Sequence, residues 1–470
     1  MGDYITQNKE HMNRIPIIAV LLGGAFLAIL NQTLLITATP HIMIDFNLSE
    51  SSGQWVTTIF MLVNGIMIPI TAFLMETFTT RRLFLFSMFV FVVGTMICAL
   101  AINFPILMIG RVIQASGAGI MMPLMMTIFM LIFPIERRGF AMGMSGLVIS
   151  FAPAIGPSLA GWLVEFMHWR SLFLIILPLA VVDIIFGYFF MRNVISRTFP
   201  KVDYPSIALS VFGFGGILLG FSSVGNYGWT HPSVSISLVI GVITLTLFIL
   251  RQFKLKQPTL EFRVFKNRTF TLTTAIGMIA FTMLIAAETI LPMYMQLMAG
   301  FTALESGMMI LPGAIIMGIL SPIVGQIFDK IGAKVLLIVG LSIVTLTTLF
   351  FTNLSQTTSL TYLTIIFAVR MVGIAMIMMP ATTAGLNALP RNLISHGTAM
   401  TNTMRQVAAS VGTASLVTIM SLGALGSPAL DDVIQGVNLA FIVATAVSTI
   451  GFILAFFVKD FRPYLNKSSA

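Results

Sequence analysis

Fourteen apolar runs, each long enough to cross a bilayer as a helix, set the terms of any fold this chain can adopt. They fall at roughly 15–37, 54–75, 83–101, 105–133, 140–164, 171–191, 206–224, 233–250, 270–296, 306–327, 335–353, 360–384, 399–424 and 437–458. A hydrocarbon core about 30 Å thick needs about 20 residues of helix. Backbone polar groups in lipid must be satisfied within their own segment, so the expected fold is an all-α integral membrane protein. With 57% hydrophobic and 9% charged residues, against about 25% charged in ordinary soluble domains, a water-soluble fold is excluded. The first fourteen residues are polar and lead into the first run with no evident cleavage site, which predicts a retained helix and not a signal peptide.

The longest internal break between runs is about 251–269, too short for an inserted catalytic or nucleotide-binding domain. No Gly-Lys pair exists to build a phosphate-cradling loop. The chain is therefore expected to be no enzyme and to need no cofactor or metal. A net charge of +9 in so apolar a chain points to anionic lipid and not to nucleic acid. Cys98 is the single cysteine, so no internal disulfide forms.

Basic residues on alternate loops fix the expected orientation. With the N-terminus inside, 21 of the 25 Lys and Arg lie on inner segments, among them Lys9, Arg81, Arg82, Arg137, Arg138, Arg197, Lys201, Lys330, Lys334, Arg391, Arg462 and Lys467. Only Arg170 is outside, and Arg111, Arg370 and Arg405 fall within spans. Both termini are expected to be cytoplasmic.

The chain also repeats itself weakly. Ala72-Phe-Leu-Met-Glu76-Thr-Phe-Thr79-Thr80-Arg81-Arg82 follows span two, and Gly325-Gln-Ile-Phe-Asp329-Lys330-Ile-Gly332-Ala-Lys334 follows span ten. Spans four and twelve each carry an arginine, Arg111 or Arg370, and a Met-Pro segment ending at Pro123 or Pro380. Spans one to six thus correspond to nine to fourteen. The expected domains are a six-helix bundle over 1–195, two inserted helices and a linker over 196–269, and a second six-helix bundle over 270–470, with a binding site between bundles near the midplane.

Four motifs carry a family resemblance. Gly325 to Lys334, and more loosely Ala72 to Arg82, match the loop signature G-x-L-x-D-R-x-G-R-R. Arg111-Val-Ile-Gln114-Ala-Ser-Gly117 is similar to R-x-x-Q-G. Pro153-Ala-Ile-Gly156-Pro157-Ser-Leu-Ala-Gly161 is similar to the G-P-x-x-G-G antiporter motif. Leu30-Asn31-Gln32-Thr33 through Ala38-Thr39-Pro40 stands where L-D-x-T and A-L-P are usual. On these residues, with Trp169-Arg170, Phe173 and Pro178, the chain resembles the fourteen-helix drug:proton antiporter branch of the major facilitator superfamily over nearly its whole length. Lincomycin-resistance-type exporters of Gram-positive bacteria look most similar. The resemblance implies proton-coupled efflux of amphipathic compounds across a bacterial cell membrane by alternating access, and a monomer.

Physical readings stand beside the resemblance. Asp329, before span eleven, suits the positive end of a helix dipole and can pair with nearby Lys330 or other bases, pinning the inner gate. Glu76 can do the same with Arg81 and Arg82, although Thr79 replaces a glycine that supplies positive φ, so that loop should bend differently. Gly156-Pro157 weakens span five, while Ala160 and Gly161 let a neighbouring backbone approach. Met121, Met122, Met125, Met126, Met376, Met378 and Met379 flank the span-four and span-twelve prolines; they suit either a tolerant binding surface or ordinary filler.

Ionisable groups in hydrocarbon usually face protein or a wet cavity. Arg405 lies about six residues inside its span and is expected to snorkel. Arg111 is expected to serve proton coupling, whereas Arg370 is equally open to an inter-bundle hydrogen-bonding role. Asp183, on a peripheral span, reads as a paired structural acid with proton coupling in reserve. Asn31 has no titratable proton and can only hydrogen-bond. Burial of a carboxyl in an apolar core favours its neutral form, which makes Glu288, four residues before Pro292 on a cavity-lining span, the expected proton carrier. Substrate contacts are expected from Asn31, Gln32, Gln114, Met122, Met125, Glu288, Tyr294 and Met376. Two other functions remain open: a lipid or envelope-precursor flippase of the same fold, and a membrane sensor without flux.

Overall fold

The computed structural model describes residues 14–195, 202–422 and 430–459, and among them every regular element is helical. Lys9, Arg197, Lys201, Arg462, Lys467 and both chain ends, used above for orientation, lie outside the described residues. Fourteen long helices run α1 (Arg14–Phe46), α2 (Trp55–Thr77), α3 (Thr80–Ala99), α4 (Phe104–Ile132), α5 (Arg138–Phe166), α6 (Ser171–Phe190), α7 (Tyr204–Tyr227), α8 (Pro232–Lys254), α9 (Arg268–Leu297), α10 (Ala303–Ile331), α11 (Lys334–Phe350), α12 (Leu360–Asn387), α13 (Ile394–Leu422) and α14 (Leu430–Phe456). Thirteen are long and apolar enough to span a membrane. The other, α13, is diluted by His396, Asn402, Arg405 and Gln406.

Local chemistry sets the helix ends. Asn103, Asn267 and Ser359 accept from the backbone N–H three residues on and so start α4, α9 and α12, while Thr302 and Glu305 form a reciprocal capping box on α10. The two repeated loops do bend differently. Gly332 closes α10 at φ 86°, whereas Thr79 is extended at φ −68° and caps α3 by accepting from Arg82 N.

Small residues decide which helices meet. A Cβ on Gly139 or Gly143 of α5 would overlap the carbonyl of Gly325 or Ser321 of α10, so these two backbones touch. Helices α2 and α13 form a second long contact, and α7 packs on both while pairing with α8 through Gly216 and Gly241. The α7–α8 unit is fastened at its base by Arg251, which donates to Asp203 at 2.9 and 2.8 Å and holds that carboxyl below the usual carboxylate range. Outward faces are apolar: Ile240, Val242 and Ile243 of α8 and Val182, Ile185 and Phe189 of α6 are all exposed. That belt is stable only in lipid.

Candidate substrate cavity and gate

Between the first and second halves lies a cavity of about 230 Å³. Its walls come from α1 (Thr33, Ile36), α5 (Ser150 to Ser158), α9 (Leu284, Glu288), α10 (Gly307 to Met317) and α12 (Phe367, Met371). Glu288 is the one charged side chain lining it. It is smaller than the roughly 300–1,000 Å³ typical for drug-sized ligands, so loading such a ligand requires α5 and α10 to part further.

At the end of the molecule where Arg81, Arg137, Arg138, Lys330 and Arg391 gather, the halves are locked together. Asp329 accepts from Gly139 N at 2.7 Å and Phe140 N at 2.9 Å, so its carboxylate closes the exposed donors of the first turn of α5. Asp329 does sit at a positive helix end, but that of α5 and not of span eleven, and its partners are backbone N–H groups and not bases. Arg138 adds a bond to Asn387 at 2.8 Å, tying α5 to α12. Across the other contact, Glu76 of α2 meets His396 Nε2 of α13 at 2.8 Å.

That pairing corrects the expectation for the first loop. Arg81 turns away to donate to the Tyr188 carbonyl and stack on its ring, and Arg82 is exposed, as is Lys330. None of the three joins the seal. His396 was not foreseen. A comparison of spans five and thirteen carries the signal, because Arg138-Gly139 and His396-Gly397 each place a basic residue before a glycine in the first turn.

Besides Arg138, three arginines deeper in the spans are buried among neutral acceptors. Arg111 donates to Asn31 Oδ1 at 2.8 Å, Gln114 Oε1 at 2.7 Å and the Val56 carbonyl at 3.0 Å, and lies 4.1 Å from the Phe60 ring centre. Gln114 passes the chain on to Thr95 at 2.7 Å. Arg370 binds Thr348 of α11 and the Met283 carbonyl of α9 at 2.9 Å, both on neighbouring helices of its own repeat, which corrects the inter-bundle reading. Among the described residues no ion pair joins it to Glu288. Arg405 does not snorkel. The helix begins five residues earlier than the hydropathy suggests, and the guanidinium is 3% exposed, bonded to the Met378 carbonyl and Thr382 with Gly277 leaving it room.

Of the residues expected to touch substrate, only Glu288 lines this cavity. Asn31 and Gln114 are committed to Arg111, and Tyr294 donates to the Ser355 carbonyl at 2.6 Å. Met125 is fully buried, Met122 is packed on the core, Met376 faces Gly340 of α11, and Gln32 is half-buried outside the lining. Pro157 does line the cavity, and a Cβ on Gly156 would overlap Thr33, which makes it the close contact between α5 and α1. Gly161 faces open space, so it mediates no approach. Asp183 is 8% exposed and lies remote from the cavity, against Gly23 and Gly24 of α1. Its Oδ2 has no hydrogen-bond partner among the described residues, so it is not the paired acid expected.

A polytopic helical chain tied together at one end and holding a cavity lined by a single acid has the architecture of a membrane transporter. The chain belongs to the Major Facilitator Superfamily, whose profile matches residues 21–413. It is 57% identical over 454 residues to the MFS-type transporter YcnB of Bacillus subtilis (strain 168), covering 96% of each chain. It is 42% identical over 458 residues to the lincomycin resistance protein LmrB of the same organism, covering 95% of this chain and 96% of that one. The crystal structure of the human organic anion transporter MFSD10 superimposes with a TM-score of 0.68 at 14% identity, over 94% of this chain and 99% of that one, a likeness of fold alone.

Proposed function

We propose that the chain exports amphipathic organic compounds in exchange for protons, alternating access between bundles 1–195 and 270–470 with α7 and α8 as an inserted pair, and with both termini in the cytoplasm. The observation that carries this is Glu288, the lone charged group in a mostly apolar cavity between the halves whose other polar groups are the hydroxyls of Thr33, Ser150 and Ser158. An acid there can exchange a proton for a substrate's cationic or polar group while apolar walls take its body. With the basic end inside, the locked gate is the inner one. Similarity to a lincomycin resistance protein supports a drug-like substrate. One charge moved through 100 mV supplies about 2.3 kcal/mol, enough for a substrate gradient of about fortyfold.

The test uses purified protein in liposomes with an imposed pH gradient, following proton movement as lincosamides and cationic dyes are added. Substrate-dependent proton flux is expected. Substrate flux that ignores the pH gradient would reject the coupling.

A further inference from the structure

At the basic end, away from the cavity, an open groove of about 510 Å³ is lined by Thr79, Arg81, Arg82, Leu85, Tyr188 and Asn193. We propose that it binds the phosphate of an anionic membrane phospholipid, with the acyl chains lying along α3 and α6.

The argument begins with charges placed where a bare helix disfavours them. Arg81 and Arg82 stand in the first turn of α3, at the positive end of its dipole, where acids and not bases are stabilising. Among the described residues no carboxylate lines the groove to offset them. Arg81 is held in place by stacking 4.6 Å from the Tyr188 ring centre and by its bond to the Tyr188 carbonyl, and it makes no ion pair among the described residues. The Arg82 guanidinium is exposed. An anion in the groove accepts from the exposed Arg82, offsets both charges and gains from the helix terminus at once.

The surroundings select a lipid over a solute. Leu85 forms one wall, and beside the groove Phe78, Phe86, Tyr188 and Phe189 are 46%, 60%, 56% and 65% exposed. Aromatic rings under arginines mark the depth where headgroups give way to hydrocarbon. The groove is also rigid. Thr80 Oγ1 accepts from Val194 N at 3.1 Å and Ile195 N at 3.2 Å, and Asn193 accepts from Arg81 N, so the chain after α6 is bound to the start of α3. A bound headgroup would brace this junction whatever the cavity carries.

Native mass spectrometry of the delipidated full chain tests this, titrating phosphatidylglycerol, phosphatidylcholine and inorganic phosphate. One phosphatidylglycerol should bind ahead of all others, and Arg81→Gln with Arg82→Gln should weaken that step about tenfold. Arg391→Gln, on the same end but outside the groove, should leave it unchanged. Should the double variant not fold, salt decides on the unaltered protein: affinity should fall several-fold between about 50 and 500 mM. Equal binding of phosphatidylcholine, retention of tight binding by the double variant, or salt-insensitive binding overturns the proposal. Displacement by millimolar inorganic phosphate would reassign the groove to a free anion and overturn the lipid.

Discussion

The guanidinium of Arg111 donates to the carboxamide oxygen of Asn31 at 2.8 Å. Asn31 lies nine residues before Pro40 of α1, and Met283 lies nine residues before Pro292 of α9, where its backbone carbonyl accepts from Arg370 at 2.9 Å. The same step of each first helix therefore anchors the arginine of each fourth helix. One half uses a side chain and the other the main chain, and neither uses an acid. By the same register Ile36 matches Glu288, and both line the cavity.

Because Asn31 is 1% exposed and faces Arg111, Asn31→Asp should create an ion pair inside the first half without changing which drugs are carried. Asn31→Leu removes a charge-assisted bond and should cost about 2 kcal/mol of stability. Thermal unfolding in detergent measures both. A shift of drug range toward cations in Asn31→Asp would mean that this side chain reaches the substrate in another state of the cycle.

Closure at the basic end depends on glycine backbones in contact. Gly325→Ala would drive a Cβ into the Gly139 carbonyl only while α5 and α10 are closed. Overpacking of about 1–3 kcal/mol in one state alone shifts the equilibrium by roughly 5- to 150-fold toward opening. Ser321→Cys, buried at 1%, reports it well because Cys98 is fully buried. Maleimide labelling should be slow in the parent and at least several-fold faster with Gly325→Ala.

The two acids of the gate should differ. Asp329 holds two backbone N–H groups of α5, which cannot turn to another acceptor, whereas Glu76 meets a rotatable side chain, the His396 imidazole. Asp329→Asn should therefore reduce transport more than Glu76→Gln, by about tenfold if one charge-assisted bond of about 1.5 kcal/mol is lost from the closed state. A Glu76→Gln, His396→Gln double-mutant cycle on labelling rates should return a coupling of about 1 kcal/mol. Additive effects would mean that the pair does not hold the gate.

Span number and most span limits were legible because a bilayer imposes one length and one composition on every crossing. The exceptions share a cause: helices continue past the point where hydropathy falls. Helix α1 runs to Phe46 and not to 37, its end held by Asp45, which accepts from Trp169 at 3.0 Å and Arg170 at 2.9 Å. Helix α13 starts at Ile394 and not at 399, and that error alone turned a buried Arg405 into a snorkelling one. Asp329 could be read as an acid for a helix terminus, but which terminus depends on helices about 190 positions apart. The cavity was least legible. Asn31, Gln114 and Tyr294 are polar residues in spans, and only tertiary structure reveals that their bonds are already made.

Arg405 gives a stability test of that correction. A snorkelling arginine tolerates lysine, but this one makes both its bonds, to the Met378 carbonyl and to Thr382, from the single buried Nη2 at the far end of the guanidinium. Arg405→Lys should lower stability by about 2 kcal/mol, since a shorter-reaching ammonium leaves acceptors unpaired. An unchanged melting temperature would favour snorkelling.

Glu288 carries the central prediction. It is half-buried, lines the cavity, and makes no ion pair among the described residues, the bonds of Arg370 going to Thr348 and Met283. Protonation of Glu288 removes the cavity's only charge and leaves its walls intact, so under the proposed exchange substrate and proton would compete for one group. Glu288→Gln keeps the shape and hydrogen-bonding capacity but not the titration. Substrate-dependent proton movement in liposomes should fall at least tenfold, while binding of a neutral substrate changes by less than about threefold, under 1 kcal/mol. Asp183, packed on Gly23 and Gly24 far from the substrate, should give no such split: Asp183→Asn should leave the ratio of protons to substrate unchanged. Normal pH-driven export by Glu288→Gln, with loss in Asp183→Asn, would transfer the carrier role to α6.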